Sequence, residues 1–396
     1  SNERQKNQTQ KSYVQSILEL RKQNDKETIK KILDEHWINV SIENEKNDWK
    51  TKELFSITIT SLTLRKYSDE TKKLYEYFEK FIFHPHFFDY GKEVILGETT
   101  VCGIFENDPE YVASLIIRIL ENESLSDYIR YEALRRRTRV RIDNKWLTRV
   151  QDITSESSRF KQLLYSVIKD KSKEYMFRSS ALHSLAAADY QKCEYKSELI
   201  QIIDDPNYSD ISKQALMAVQ KYNDPVLSQR AIDYIYGLIE EETGKDPRLD
   251  YSLFYTCRSV RSSYDGVSIE FYQIRRAGTD NIVNFFQKII YAGLNLELKE
   301  SYENRKYLLK CIEFLGETEN PKAIPILIDL YDNYSLVIKN GNSDRIKRSA
   351  LIGMSNFQSE DIRKALVPRY LEYTNKYSHL GNRSAMLRVE SILRGE

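Results

Sequence analysis

The hexapeptide Ile129-Arg130-Tyr131-Glu132-Ala133-Leu134 returns as Phe177-Arg178-Ser179-Ser180-Ala181-Leu182, as Ile211-Ser212-Lys213-Gln214-Ala215-Leu216 and as Ile346-Lys347-Arg348-Ser349-Ala350-Leu351. A looser copy is Asn382-Arg383-Ser384-Ala385-Met386. The template is an apolar residue, then Arg, Lys or a small polar residue, two variable positions, and Ala-Leu. Ala133 and Ala181 lie 48 residues apart, Ala181 and Ala215 lie 34 apart, and Ala350 and Ala385 lie 35 apart. Helical-hairpin repeats run about 34 to 47 residues, so each interval is one unit. The 135 residues from Ala215 to Ala350 hold roughly three irregular units. Self-similarity on this scale predicts an all-α fold, an α-α superhelix of stacked helical hairpins.

Alanine on the second helix of each unit lets two helices approach closely, and the leucine beside it fills the groove. The Arg or Lys three residues before the alanine sits one turn away. At Arg130 and Arg178 it is expected to pair with an acidic group of the adjoining repeat. First helices are also legible. Asp108-Pro109-Glu110 combines an N-cap with proline at the first helical position, followed by Val112, Leu115, Ile116 and Leu120 on one side. Ser157 to Ile168, Tyr195 to Ile203 and Pro225 to Ile239 show the same helical spacing.

The clearest unit joins Asn320-Pro321-Lys322-Ala323-Ile324-Pro325-Ile326-Leu327-Ile328-Asp329-Leu330 to a partner helix over Asp344 to Asn356. A second A-x-x-P-like stretch, Ala365-Leu366-Val367-Pro368, is expected to start the next hairpin. These residues resemble the HEAT-repeat family, whose first helix often carries Ala-Ile-Pro-x-Leu and whose second carries Val-Arg-x-x-Ala-x-x-Ala-Leu. Residues 320 to 356 match both halves; residues 108 to 137 and 157 to 223 match mainly the second. The pattern loses phase around 240 to 300. The resemblance implies a HEAT-like or armadillo-type α-solenoid that presents a concave surface to a protein.

Two regions follow: an irregular N-terminal helical region over 1–107, a possible cap, and a repeat array over 108–396 with an insertion around 240–300. Within the first, Lys11 to Leu33 and Thr71 to Phe83 have helical spacing. Phe55 to Leu64 alternates with period two, as a strand would, but the all-helical context favours a helix.

Lys+Arg total 60 against Asp+Glu 59, a formal net charge of +1, which argues against nucleic-acid binding driven by overall charge. No stretch reaches the apolar length of a membrane helix. The four cysteines, Cys102, Cys193, Cys257 and Cys311, form no C-x-x-C pair and read as free, mostly buried thiols. The polar start, Ser1 to Gln8, resembles the tether that follows the lipidated cysteine of bacterial lipoproteins, and equally an ordinary frayed terminus. The first reading would place the protein at the cell envelope; the second leaves the cytoplasm.

Several groups invite a chemical reading. His84 and His86 flank Pro85, with Asp89 and Glu93 nearby, but no further ligand completes a zinc shell, so a packed aromatic turn is expected and no metal or cofactor. Arg135, Arg136, Arg137, Arg139 and Arg141 spread round a helix and form no cationic stripe. Tyr370, Tyr373 and Tyr377 share a helix face and read as core with wet hydroxyls. The irregular stretch Arg258, Arg261, Tyr264, Asp265, Tyr272, Arg275 and Arg276 is the candidate partner-binding surface: insertions in solenoids map to one face, and Tyr and Arg are enriched at binding hot spots. No nucleophile elbow or phosphate-cradling loop appears.

The function expected is therefore non-catalytic: a scaffold, adaptor or immunity-type inhibitor that binds a protein or peptide partner. The alternatives are an enzyme on the same scaffold acting on nucleic-acid bases or a protein-bound cofactor, and, more weakly, direct nucleic-acid binding.

Overall fold

The computed structural model describes residues 2–40, 49–64, 66–101, 104–139, 154–243, 274–295, 302–337, 343–377 and 383–394. The chain is all-α. Among the described residues the β structure is one isolated bridge between Val337 and Asp344. None of their helices is long and apolar enough to cross a membrane. The chain divides into two compact units, Ser1–Ala215 and Leu216–Glu396.

The first unit carries α1 (Asn2–Lys22), α2 (Lys26–Glu35), α3 (Trp49–Thr63), α4 (Asp69–Lys72), α5 (Tyr75–Ile82), α6 (Asp89–Val101) and α7 (Ile104–Asn107). They are followed by α8 (Pro109–Glu121), α9 (Asp127–Arg139), α10 (Thr154–Lys169), α11 (Tyr175–Asp189), α12 (Lys196–Asp204) and α13 (Ser212–Ala218), the last of which crosses the unit boundary after Ala215. Consecutive helices pair as hairpins, α5 with α6, α8 with α9 and α10 with α11. Their second helices form a row in which α3 packs on α6, α6 on α9 and α9 on α11. Ala133, Ala181 and Ala215 are all buried, as the seam reading requires. The second helices of residues 1–107 join this row without alanine; Ile59 of α3 and Ile95 of α6 fill the core instead. Large side chains at the seam hide the repeat from a sequence template.

Local signals explain the helix ends. Asp108 accepts from the Tyr111 N–H at 3.2 Å and caps α8, with Pro109 in the first turn. The period-two stretch Phe55 to Leu64 is helical through Thr63, and Leu64 ends it in the left-handed region at φ 53°. Two expected helices are broken. Lys11 to Leu33 divides where Asn24 turns left-handed at φ 54° and Asp25 caps α2. Thr71 to Phe83 divides into α4 and α5.

The basic residue of the template has a role that its spacing did not reveal. Arg130 Nε donates to the Leu120 carbonyl at 3.0 Å, and Arg178 Nε donates to the Ile168 carbonyl at 3.0 Å. Both carbonyls lie in the last turn of the first helix of the same hairpin, where no intrahelical donor is available. Lys347 repeats the device in the second unit by donating to the Tyr331 carbonyl. Lys92 of α6 is also buried and stands ten residues after Ile82, the end of α5; burial pulls its ammonium below the usual lysine range. The expected bond to the adjoining repeat holds for Arg178, which reaches Asp210 at 2.5 Å. It is corrected for Arg130, whose acidic partner is Asp127 of its own helix at 3.4 Å, while its guanidinium lies 5.3 Å from the Phe177 ring of the next hairpin.

Ion pairs stitch the first helices together. Asp34 of α2 accepts from Lys80 at 2.8 Å and Tyr77 at 3.0 Å on α5; Glu79 of α5 takes both Arg118 amino groups of α8 at 2.7 Å. Glu121 of α8 is gripped by Arg159 of α10 at 2.7 Å through two nitrogens. Bidentate geometry makes these pairs directional as well as attractive.

The second unit contains α14 (Pro225–Thr243), α15 (Asp280–Leu294), α16 (Tyr302–Glu317), α17 (Ala323–Asn333), α18 (Arg345–Met354), α19 (Glu360–Lys376) and α20 (Arg383–Arg394). Helix α18 packs on both α16 and α17 and also meets α19. Ala350 is buried, and Ala385 lies in α20. Helices α16 and α18 cross at glycines: a Cβ on Gly316 would fall 2.3 Å from the Gly353 Cα. The next hairpin begins at Glu360, capped by Ser359, so Pro368 lies inside α19 instead of opening it. Tyr370, Tyr373 and Tyr377 are buried, and Tyr370 donates to Glu390 at 2.8 Å. Cys311 is buried and Cys193 exposed; Cys102 and Cys257 lie outside the described residues.

Candidate functional site

Of the stretch singled out for partner binding, Arg258, Arg261, Tyr264, Asp265 and Tyr272 lie outside the described residues. Arg275 and Arg276 sit in a 3-10 turn, Arg275–Ala277, closed by Gly278 at φ 63°. Arg275 is turned inward: it is 7% exposed, pairs with Glu317, and its guanidinium lies 5.1 Å from the Phe314 ring. Arg276 is half-buried. A Cβ on Gly278 would approach the Thr318 carbonyl oxygen to 2.8 Å, so the turn needs glycine for close approach as well as for its backbone angle.

The histidine pair behaves as a turn. The His86 N–H donates to His84 Nδ1 at 3.3 Å, and Phe87 and Phe88 are buried beside it against Phe55. Burial, then the neighbouring His86, Lys92 and Lys80 charges, hold His84 below the usual imidazole range. Among the described residues no group of three His, Cys, Asp or Glu side chains is placed to hold a metal.

A different constellation emerges along the second helices of the first unit. Glu93 of α6 is 5% exposed, and its carboxylate accepts from Lys52 of α3 at 2.9 Å and from the Tyr128 hydroxyl of α9 at 2.7 Å. The Lys52 ammonium also lies 5.3 Å from the centroid of the Tyr90 ring. Tyr90 and Tyr128 meet edge to face at 6.4 Å and 81°. Burial, then the bond to Glu93, pushes the Tyr128 phenol up, so it stays a donor across the physiological range. Three consecutive second helices thus converge on one buried carboxylate with two tyrosines and an ammonium.

The stripe continues on either side. Asp89 at the start of α6 accepts from Ser126 at 2.6 Å. On α9, Arg135 pairs with the buried Glu132 at 2.8 Å; burial pulls the guanidinium down, but the bond to Glu132 together with the charges of Glu132, Tyr131 and Glu93 outweighs it and its pKa rises. The other arginines of that run lie on α9 with side chains outside the described residues, as does all of Arg141. Farther along, Gln214 donates to the Tyr175 hydroxyl of α11 at 2.9 Å and contacts His183 at 3.2 Å. Tyr128 and Tyr175 are each 36% exposed, so the stripe offers phenol edges to solvent while the carboxylates of Glu93 and Glu132 are held below. Tyrosine is suited to such a surface: a large rigid ring with a polar tip.

Sequence reasoning weighed Glu93 only as a metal ligand beside the histidine pair, and passed over Tyr90 and Tyr128. A signal existed, because Tyr90 and Tyr128 each stand two residues before the basic residue of their helix, Lys92 and Arg130. A groove at the edge of α1 is lined by Gln15, Leu18, Glu19, Arg21, Lys22 and Leu64. Compared with known proteins, the chain matches no protein-family model and no curated protein sequence.

Proposed function

We propose that this protein is a non-catalytic binding module built of HEAT-like hairpins, and that the tyrosine-bearing stripe of the first unit receives a protein or peptide partner. The observation that carries the reading is the convergence of Lys52, Tyr90, Glu93 and Tyr128 from three successive second helices. Burying charge so close to exposed aromatic rings costs desolvation that a plain packing seam avoids. An interface core with aromatic anchors and a fixed polar group is a use that justifies it. The template resemblance and the row of packed hairpins support the same reading, since repeated units lay out a long surface at little folding cost per unit.

The test is site-specific photocrosslinking with the full chain in an extract of its native host. A crosslinker at Tyr128 is expected to capture a defined partner that one placed at Val226, 69% exposed in the second unit, does not. Tyr175→Ala should weaken that capture with little change in melting temperature. Equal, non-selective labelling from both positions would refute the assignment. The pair Arg261→Glu with Tyr264→Ala tests whether the 258–276 stretch adds a second contact.

A further inference from the structure

Glu93 holds an ammonium already, and that ammonium belongs to the chain itself. The carboxylate is fixed: it is almost wholly buried and receives the Tyr128 hydroxyl. The two rings beside it are fixed by their helices. Lys52 is the adjustable member: its side chain is 37% exposed, its stem is unbranched, and its recorded polar and ring partners are Glu93 and Tyr90. A buried carboxylate with a phenol hydroxyl on it and an aromatic ring beside its ammonium is the chemistry that recognises an alkylammonium or guanidinium, by charge and by cation–π attraction together.

Resting on the reading of the stripe as a partner surface, we infer that the Tyr90–Glu93–Tyr128 corner is a receptor for a lysine or arginine side chain of the partner, and that Lys52 is the intramolecular cation the partner displaces. The exchange is favoured over simple insertion because Glu93 remains paired before and after it. A partner lacking a cation would leave the buried carboxylate without the ammonium that now sits on it, so the corner disfavours neutral and acidic side chains at this position. Lys52, once released, stands at the rim of the interface and is free to meet an acidic group of the same partner.

The probe is n-butylammonium, read in the full chain by fluorine resonance of 3-fluorotyrosine at position 128, assigned with Tyr128→Phe. In Lys52→Ala the resonance should shift saturably, whereas wild type should respond roughly tenfold more weakly because its own lysine holds the corner closed. Lys52→Gln serves as the second background if the alanine variant folds poorly. The neutral analogue n-butanol should produce no shift, and Glu93→Gln in the Lys52→Ala background should abolish the response to the amine. A response equal for butanol and butylammonium, or one that survives Glu93→Gln, overturns the inference, as does no saturable shift in either Lys52 variant. A capped Gly-Lys-Gly peptide should also compete with capture from Tyr128, and its Nε-acetyl form should not. Selective capture that is indifferent to the lysine peptide sinks the cation receptor and leaves the partner surface standing; loss of selective capture altogether sinks the surface itself.

Discussion

Replacing Arg178 by methionine removes a guanidinium that ties the two helices of its hairpin to each other and to the adjoining repeat, while keeping most of its apolar stem. Two losses follow. The Ile168 carbonyl, bonded to Nε at 3.0 Å, is left without its donor in a buried seam, which costs about 1–3 kcal/mol. The contact to Asp210 at 2.5 Å also goes, but Asp210 is half-exposed, so that pair is worth about 0–1 kcal/mol. One gain offsets them: a terminal amino group of Arg178 is buried without an acceptor, and methionine removes it. The balance is a destabilisation of about 2 kcal/mol, with the carbonyl as the larger share. For a unit of this size that lowers the melting temperature by roughly 4–8 °C. Urea unfolding followed by circular dichroism gives the difference directly, with Asp210→Asn as the control expected to stay within about 0.5 kcal/mol. If Asp210→Asn costs as much as Arg178→Met, the guanidinium acts through the ion pair and the helix-end cap is of no consequence. A cost under about 0.5 kcal/mol for Arg178→Met would refute both.

Other outcomes follow from the same geometry. Gly316→Ala should cost about 3 kcal/mol in urea midpoint measurements, because its Cβ would meet the backbone of Gly353 at 2.3 Å and not a side chain that could swing away; a neutral result would mean that α16 and α18 cross elsewhere. Ala181→Glu should unfold the first unit, since Ala181 is fully buried and the new carboxylate would have no partner; a stable, folded variant, judged by near-ultraviolet circular dichroism, would remove Ala181 from the seam. Hydrogen bonding to Arg118 holds Glu79 below the usual carboxylate range. Its contribution is therefore complete above the unfolded value of about 4.3 and is lost as pH falls through the lower folded value, so the melting curves of wild type and Glu79→Gln should differ at neutral pH and converge in acid. Divergence in acid would assign the pair the wrong sign.

Helix class and hairpin phase were legible because helix formation is decided by neighbours a few residues apart. The Asp108-Pro109 start, the apolar spacing of α8 and the Ala-Leu pairs of α9, α11 and α18 are all local signals. Buried Ala133, Ala181 and Ala350 stand where that spacing put them. Lys52 and Glu93 are 41 residues apart, and nothing in either stretch announces the other. Their meeting depends on the register of α3 against α6, set by large core residues such as Phe55, Ile59 and Ile95, which vary from hairpin to hairpin and carry no template. The same holds for Arg130, where the template identifies a basic residue but only the packing of α8 against α9 decides that a backbone carbonyl, and not a neighbouring acid, is its principal acceptor. Backbone periodicity is written in short-range sequence; which polar atoms meet across helices is set by how close those helices come, and that distance is a property of the assembled core.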